Sequence, residues 1–454
     1  MALECAHCGT RVADGAVRCP QCLRGTGLVE IAAAPVRKPG SNAKLAMGGL
    51  VALVVLGAVG SLVALRFPRG SPTPDTSALA RSLHLGAEVP DAFATGSASA
   101  PWVSQVRGSN GDLVRARRAL DLVTAALSHA HLVDDAHDAP ASRSIDDIVG
   151  ALASADGRVT SLDLARVIAA VLRETGTHAV VGEQIAAVRA GEAVDPSGVL
   201  GRYAAMVGDT AIDVYGRTLL GARDLHVRAL DDRSVTGAML AQSALNAGYT
   251  GAPHDRLLAL ADGAVAAWRD GVVPLAVRAE AWRIAGASGG LALADQDLAS
   301  ALALRDEAPL HVMRARFALM GGRGDVAATE IRAALTRSRS YGLAALAGAI
   351  ANTEAVDGGD RCSALHDSGD SWAPLAWVIC RGGVPNAPSV SDAARQLAAA
   401  GTDPMTLAYA AAAGADGVFA RVHSYDRDEL AVWLQALGRP DLADIAAGRV
   451  DAGR

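Results

Sequence analysis

The feature that most constrains this chain is an uncharged, mostly apolar run at residues 45–65, LAMGGLVALVVLGAVGSLVAL. An α-helix rises about 1.5 Å per residue, so a run of this length reaches roughly 30 Å, the thickness of the hydrocarbon core of a bilayer. Its glycines weaken soluble helices but are ordinary in membrane helices. The run therefore predicts one transmembrane helix, with a buried helix of a soluble domain as the alternative.

Basic residues predict which way this helix faces. Six Lys and Arg residues precede the run against three acids, and Arg66 and Arg69 follow it. The positive-inside rule then places the N-terminus in the cytoplasm. The preceding 44 residues are far too many for a cleaved signal peptide. We therefore expect a single-pass protein of the inner (plasma) membrane, with its C-terminal region periplasmic or otherwise extracytoplasmic.

Four of the six cysteines precede the run, as two C-x2-C pairs. Two such pairs at this separation have the ligand spacing of a tetrahedral zinc site, and metal binding supplies the folding energy that so small a segment lacks. A redox dithiol or two disulfides are the alternatives, and a reducing cytosol disfavours the disulfides. We predict a structural Zn²⁺ on Cys5, Cys8, Cys19 and Cys22. The segment resembles the zinc ribbon at the N-terminus of many bacterial membrane proteins.

The other two cysteines, Cys362 and Cys380, lie in the region expected to be exported. A single pair in an oxidising compartment indicates a disulfide, whose closure of the intervening loop would stabilise the fold by roughly 3 kcal/mol. Two unpaired thiols in helices are the alternative.

Composition and pattern together predict a multidomain, mainly α protein. The chain is 51% hydrophobic but only 4% aromatic, a profile that favours helices over sheets. The expected parts, in chain order, are a zinc ribbon (1–30), a basic linker (31–44), the transmembrane helix (45–65), a flexible tether rich in Pro, Gly and Ser (66–111), an α+β domain (112–233) and α-helical repeats (234–454).

The α+β domain centres on an amphipathic helix at 161–176, followed by strand patterns at 177–181 and 202–214. This order resembles the transglutaminase-like, papain-like fold, in which a cysteine starts the helix and a histidine and an aspartate lie on later strands. The resemblance places Thr160 or Ser161 at the cysteine, Tyr203 or Ala204 at the histidine, and Asp213 at the aspartate. Thiol catalysis is then absent, because acyl transfer by this route needs a thiolate activated by an imidazole.

The region after residue 234 repeats. The segments 275–286 and 310–321 align at a shift of 35 residues, and Pro274 and Pro309 precede them at the same shift. The helices that follow align at a shift of 33. A two-helix unit of about 34 residues is the tetratricopeptide period, so the region resembles degenerate tetratricopeptide repeats. A non-repetitive helical bundle is the alternative. The aromatic residues Trp268, Trp282, Phe317, Trp372, Trp377 and Trp433 are expected in its core.

These features favour a non-enzymatic membrane-anchored adaptor or scaffold, with protein partners bound on both sides of the membrane by the exported repeats and the cytosolic ribbon. The alternative is a cell-envelope hydrolase or peptidase with Ser161 as nucleophile and His178 or His226 as base. Nucleic acid is disfavoured by the net charge of −6. A second metal site is conceivable in the group His129, His131, Asp134, Asp135, His137 and Asp138, although such a run is more often a solvated helix end. Neither the partners nor the oligomeric state follows from the sequence.

Overall fold

A computed structural model describes much of the chain. The described residues are 2–5, 11–12, 28–31, 89–133, 136–185, 199–338, 342–350, 373–380, 392–396, 403–415 and 417–449. The chain divides into two compact units, Met1–Asp75 and Thr76–Arg454. The architecture is mainly helical with small sheets.

The first unit contains a three-stranded antiparallel sheet. Strand β1 (Ala2–Cys5) lies in the middle, between β2 (Arg11–Val12) and β3 (Leu28–Ile31). Cys5 ends β1 and pairs with Leu28 of β3, so the chain that follows the second C-x2-C pair returns beside the first cysteine. Of the four expected zinc ligands, Cys8, Cys19 and Cys22 lie outside the described residues.

The structure corrects the expected fold class and location. Among the described residues, no helix combines the length and the apolar composition that crossing a membrane requires. The run at 45–65 itself lies outside those residues. The expectation of a mainly α protein agrees with the structure. The expected transmembrane helix, and the single-pass membrane location inferred from that helix, are not retained.

The second unit begins before the expected end of the flexible tether. Within 66–111, the described part starts at residue 89, and helix α1 (Ala100–Arg107) packs Val103 and Val106 into the core. Asp146 fixes the loop before this helix, because its carboxylate accepts hydrogen bonds from the backbone N–H groups of Gly96, Ala98 and Ser99 and from the Ser99 hydroxyl, at 2.7–3.1 Å. Residues 89–111 are therefore folded rather than a tether.

A buried helix organises the α+β part. Helix α4 (Ser161–Glu174) begins with a capping box, in which Thr160 accepts from the N–H of Asp163 and Asp163 accepts from the N–H of Thr160. Every residue from Ser161 to Leu172 is buried. Around it lie α2 (Asp112–Ala126), α3 (Ile145–Leu152) and the short parallel pair β4 (His131–Leu132) and β5 (Arg158–Val159).

One face of α4 packs on a five-stranded antiparallel sheet. The sheet order is β10–β6–β7–β8–β9, formed by β6 (Ala179–Gln184), β7 (Tyr203–Val207), β8 (Thr210–Asp213), β9 (Thr218–Gly221) and β10 (Val227–Ala229). The register aligns Val181, Ala205 and Ile212 in one row across three strands, and all three are fully buried. The opposite face carries a smaller apolar cluster around Met206 and Leu225. Both faces of the sheet are therefore covered.

The rest of the second unit is helical. In chain order, the helices whose bounds lie within the described residues are α5 (Asp232–Tyr249), α6 (His254–Ala267), α7 (Val272–Ala285), α8 (Gly290–Leu304), α9 (Ala308–Met320), α10 (Gly324–Arg337), α11 (Gly342–Ile350), α12 (Ala373–Cys380), α13 (Pro404–Ala412), α14 (Val418–Arg421), α15 (Arg427–Ala436) and α16 (Pro440–Ala446), and residues 392–396 are also helical. Cys380, the last residue of α12, is disulfide-bonded. Its expected partner, Cys362, lies outside the described residues.

The pairs α7–α8 and α9–α10 pack closely, in line with the two-helix units that the sequence predicts. Each pair is joined by an ion pair from an arginine of its first helix to an acid of its second. Arg278 contacts Asp297 at 2.6 Å, and Arg314 contacts Glu330 at 2.8 Å. The assignment to tetratricopeptide repeats itself stays a prediction.

The expected boundary at residue 233 does not separate two cores. A single apolar cluster runs from Ala92 through α4 and the sheet into α5, α6 and α7, ending at Ala281. A second cluster joins α9 to α16 and begins at Ala308. The α+β part and the first helices of the repeats are thus packed on each other.

Replacing Asp146 with Ala tests the loop anchor. Four donors would lose their acceptor, so we expect the free energy of unfolding to fall by about 2 kcal/mol and residues 89–99 to become sensitive to limited proteolysis. Burial opposes ionisation of this carboxyl, but the hydrogen bonds from Ala98, Ser99 and Gly96 lower its pKa. Its contribution should therefore be present at neutral pH and decline on acidification below the ordinary aspartate pKa.

The adjacent Asp147 provides the control for this prediction. Its carboxylate accepts only from Ser144, three residues earlier and at the same helix end. Asp147→Ala should leave the protease sensitivity of residues 89–99 unchanged. Equal cleavage of the two variants would show that Asp146 does not hold the loop.

Candidate functional site

A cleft of about 510 Å³ opens in the helical half of the second unit. One side is formed by the C-terminal end of α7, the α7–α8 turn and the start of α8, and the other by α15 and α16. Its lining residues are Trp282, Arg283, Gly286, Ala287, Gly289, Gly290, Leu291, Met320, Asp428, Ala431, Val432, Gln435, Pro440, Ala443, Asp444, Ala447 and Arg449. This volume lies within the range of typical ligand pockets, roughly 300–1,000 Å³.

Small residues keep the cleft open. Gly286 and Gly289 have φ values of 58° and 79°, which glycine adopts without strain, and nothing lies within 4 Å of where their Cβ atoms would be. Gly290 instead packs on the chain, since a Cβ there would lie 2.9 Å from the Trp282 carbonyl oxygen. On the other side Ala431, Ala443 and Ala447 line the wall. A bulky group of a ligand can therefore approach the backbone on both sides.

Helix α15 uses its two faces for different purposes. Glu429, Leu430, Trp433 and Leu434 are buried in the protein. The residues Asp428, Ala431, Val432 and Gln435, spaced by three and four positions, line the cleft. The packing of the first face therefore fixes the position of the second.

The expectation that all six large aromatic residues lie in the core is correct for Trp268, Phe317 and Trp433, each 1% exposed. Trp282 is partly buried: it packs against the apolar cluster of α7 to α9 and also lines the cleft. Trp282 follows the apolar repeat pattern of α7, so periodicity alone does not distinguish a core position from a cleft position. Trp377 is partly buried, and Trp372 lies outside the described residues.

Behind the cleft, Arg283 is the centre of a buried ionic network. Its guanidinium, with a side chain 1% exposed, donates to Glu280 at 2.5 and 3.0 Å, to Asp426 at 2.8 Å and to the Tyr425 carbonyl at 3.0 Å. The Tyr249 hydroxyl also donates to Glu280, at 3.0 Å. Arg283 thus joins α5 and α7 to the segment that precedes α15.

A second guanidinium extends the network. Arg316 of α9 donates to Glu429 at 2.6 Å, and its Nη2 lies 3.8 Å from the carboxylate of Asp403. Glu429 also accepts from the indole N–H of Trp433 at 3.1 Å, and lies 3.8 Å from Arg283. Asp403 caps the start of α13. The network therefore also connects α9 and the start of α13 to α15.

The two guanidiniums keep Glu280 and Glu429 ionised in an environment that opposes their charge. Burial alone would raise the pKa of Glu280, but Arg283 lowers that pKa to about 2. Burial likewise opposes the charge of Glu429, whose pKa Arg316 and Arg283 lower. Asp403 differs, because burial and the nearby Glu429 raise its pKa. Two guanidiniums thus face four carboxyl groups, with the His137 ring 3.4 Å from one of them, Asp426.

Four aromatic rings lie at the edge of the network. His137 stacks on Tyr249, with ring centroids 4.2 Å apart, and His423 stacks on Tyr425 at 5.1 Å. The His137 Nε2 atom lies 3.4 Å from Asp426. His137 belongs to a short 3₁₀ helix (Ala136–Asp138) that precedes α3. This contact joins the α+β part to the far end of the helical half.

The residues of the conceivable metal group around His129 do not meet at one site in the described part of the chain. His131 is exposed in β4, Asp138 forms an ion pair with Arg158 at 2.5 Å, and His137 joins the aromatic rings. Asp134 and Asp135 lie outside the described residues. Among the residues that the structure describes, no group of three or more His, Cys, Asp or Glu side chains could hold a metal ion.

The residues that the transglutaminase-like resemblance singles out do lie near one another. Ser161 begins α4, and its hydroxyl oxygen accepts from the backbone N–H of Tyr203, the first residue of β7, at 3.2 Å. Asp213 ends the neighbouring strand β8, where it accepts from the N–H of Tyr215 at 3.0 Å. Thr160 donates to Gln242 of α5 at 2.9 Å, and Ala204 is buried. This is the order of elements that the resemblance implies, and the resemblance stays a prediction.

The base required by a hydrolase is not found beside Ser161 in the described part of the chain. Ser161 is 3% exposed, whereas His178 is exposed just before β6. His226 precedes β10 with a left-handed backbone, φ 48°. In the described hydrogen bonds, neither imidazole contacts the Ser161 hydroxyl.

Comparison with known proteins gives no relative. The chain matches no protein-family profile, no curated protein and no solved structure.

The buried network is the part of this site that sequence reasoning missed. Glu280 and Arg283 are three residues apart in one helix, a spacing that allows an ion pair but is common on solvated faces. Asp426 and Glu429 are nearly 150 positions later in the sequence. Only the fold brings these charges together.

Replacing Glu280 with Gln tests the network. Because the folded pKa lies near 2 and the ordinary value is 4.5, ionised Glu280 should contribute about 3 kcal/mol at neutral pH. A lowered pKa means that this contribution is complete above pH 4.5 and is lost as the pH falls towards 2. Denaturant unfolding should therefore show a gap between wild type and variant that narrows on acidification. A gap that is independent of pH would contradict the assignment.

Proposed function

We propose that this chain is a non-enzymatic binding protein whose helical half holds a segment of a protein partner in the cleft between α7–α8 and α15–α16. The observation that carries this proposal is the cleft itself, with Trp282 and Met320 beside walls of glycine and alanine and a polar rim. Aromatic and Met anchors surrounded by polar residues are typical of protein interfaces. Grooves between helices commonly accept a helical or extended peptide segment.

The chemistry of the lining supports binding rather than catalysis. Among the described residues that line the cleft there is no His, Cys, Ser, Thr or Tyr. A hydroxyl or thiol nucleophile paired with a histidine base therefore cannot be assembled from them. The charged residue behind the cleft, Arg283, is already held by Glu280 and Asp426. These groups act as a fixed support rather than as reactive groups.

The hydrolase alternative has less support. The Ser161 hydroxyl accepts from a backbone N–H and is nearly fully buried, so it is not presented to a substrate. In a hydrolase the serine would need a base within hydrogen-bond distance. The geometry around Ser161 instead supports a structural role, in which the hydroxyl joins the start of α4 to the start of β7.

We further propose that the N-terminal segment binds a structural zinc ion through Cys5, Cys8, Cys19 and Cys22, and offers a second surface for a protein partner. The support is the donor set, four thiols in two C-x2-C pairs, together with the pairing of Cys5 and Leu28 across β1 and β3. Zinc bound there would order a segment with little core of its own.

A photo-crosslinking amino acid at Gln435 tests the cleft. Gln435 is exposed and lines the cleft, so a bound partner should be captured at this position in living cells. Ala447→Trp, which places a large ring in the cleft, should abolish that adduct. The same crosslinker at Arg332, exposed on α10, is the control and should not give the adduct.

Two results would contradict the cleft proposal. An adduct that persists in the Ala447→Trp variant would mean that capture does not involve the cleft. The absence of any adduct at Gln435, in cells where the protein is folded and abundant, would leave the cleft without a partner.

Metal analysis of the full-length protein tests the zinc proposal. We expect about one zinc ion per chain, because four thiolates complete one tetrahedral site. Cys5→Ser and Cys22→Ser should each lower the zinc content strongly. The double variant Cys362→Ser/Cys380→Ser is the control and should retain it. Zinc-free wild-type protein purified under reducing conditions would contradict the proposal.

A further inference from the structure

The charges in and behind the cleft are unequal in sign. The guanidiniums are Arg283, Arg316 and Arg449, and the His137 ring also contacts Asp426, at 3.4 Å. The carboxylates are Glu280, Asp403, Asp426, Asp428, Glu429 and Asp444, which still outnumber the guanidiniums and this imidazole together. Even with Asp403 protonated, carboxylates outnumber guanidiniums. Buried charges are screened less by solvent and salt than exposed ones, so this excess gives the cleft a negative potential.

The two cations that line the cleft are already engaged. Arg283 donates to Glu280, Asp426 and a backbone carbonyl, which leaves it little capacity for an anionic ligand. Arg449 donates to Asp444 at 3.1 Å. Arg283 is therefore closed to an anionic partner, whereas Arg449, with a side chain 74% exposed, is held weakly by its ion pair with Asp444.

Asp428, unlike the two arginines, has no ion-pair partner among the described residues. It is exposed in the first turn of α15 and lines the cleft, and the described ion pairs do not include it. Its carboxylate is thus available to a cation that enters the cleft. The apolar side chains of Trp282, Leu291 and Met320 line the same cavity, so a ligand would meet apolar surface together with an acid.

We propose that the occupant of the cleft is a peptide segment of a partner protein that carries basic side chains next to bulky apolar ones. This inference rests on the proposed function and specifies the chemistry of the partner. A Lys or Arg of the segment pairs with Asp428, and an apolar neighbour packs on Trp282 and Met320. The alanine and glycine walls admit the backbone of such a segment closely.

Three synthetic fluorescent peptides of equal length test this inference by fluorescence anisotropy with the full-length protein. Leu and Trp alternate with Lys in the first peptide, with Glu in the second and with Ser in the third. We expect the Lys peptide to bind most tightly, and added salt to weaken it more than the Ser peptide. Trp282→Ala should weaken the Lys peptide by about tenfold or more, since buried aromatic anchors dominate interfaces.

Asp428→Asn removes the negative charge of the Asp428 side chain while keeping its size, and so measures what that charge contributes to binding. Because an exposed ion pair contributes less than about 1 kcal/mol, we expect this variant to weaken the Lys peptide by about threefold and to leave the Ser peptide unchanged. Asp325→Asn is the matched control, since Asp325 is also an exposed acid in the first turn of a helix but lies outside the cleft. The Asp325→Asn variant should bind all three peptides with the affinity of the wild type. Circular dichroism confirms that each variant is folded.

The outcomes separate this inference from the proposed function. Tighter binding of the Glu or Ser peptide, blocked by Ala447→Trp, would overturn the preference for basic segments while supporting the cleft. Binding of the Lys peptide that Asp428→Asn and Ala447→Trp do not alter would show attachment elsewhere and overturn the inference. If no peptide binds but the Gln435 crosslink forms and is lost in Ala447→Trp, the inference fails and the proposed function stands. If no peptide binds and no Gln435 crosslink forms, both the inference and the proposed function are rejected.

Discussion

The positive charge of Arg283 is buried, and the folded helical half must supply partners for it. Its side chain is 1% exposed, and three carboxylates and a backbone carbonyl surround the guanidinium. A buried charge without partners costs several kcal/mol, so the surrounding helices can pack around Arg283 only with Glu280, Asp426 and Glu429 beside it. These residues come from α7, from the segment before α15 and from α15 itself. The positions of these helices are thereby coupled.

The cleft is a consequence of this coupling. One face of α15 is fixed by Glu429 and Trp433, and the opposite face then presents Asp428 and Val432 to α7 and α8. A wall held by a buried ionic network has little freedom to lose when a ligand binds. Binding surfaces that are ordered in advance avoid part of the entropy cost of association. The same buried network that stabilises the helical half would therefore also order the cleft in advance for the partner that we propose.

The helices and strands that the sequence predicts correctly are those specified by patterns of residues close together in the chain. The apolar period of the segment 161–176 predicts α4, and the strand pattern at 202–214 corresponds to β7 and β8. The helices α7 to α10 follow from the internal repeat. These elements are specified by residues a few positions apart. The short edge strands β9 and β10 are not predicted, because they are only partly buried and three or four residues long.

The candidate site could not be predicted in the same way. Its charges meet across long sequence separations, as in the bond between Arg283 and Asp426. Trp282 follows the same apolar pattern as its buried neighbours, although it lines a cavity. Residues 89–99 have the composition of a tether, yet one carboxylate, Asp146, fixes them from about fifty residues away. In each case the decisive contact is tertiary.

The apolar cluster that runs from Ala92 to Ala281 has a consequence for the history of this chain. Repeats are usually gained and lost one at a time, because each contacts only its neighbours. Here the first helices of the helical half share their interior with α4 and the sheet, so an exchange of genetic material near residue 233 would expose apolar surface on both products. The α+β part and helices α5 to α7 are therefore expected to be inherited together.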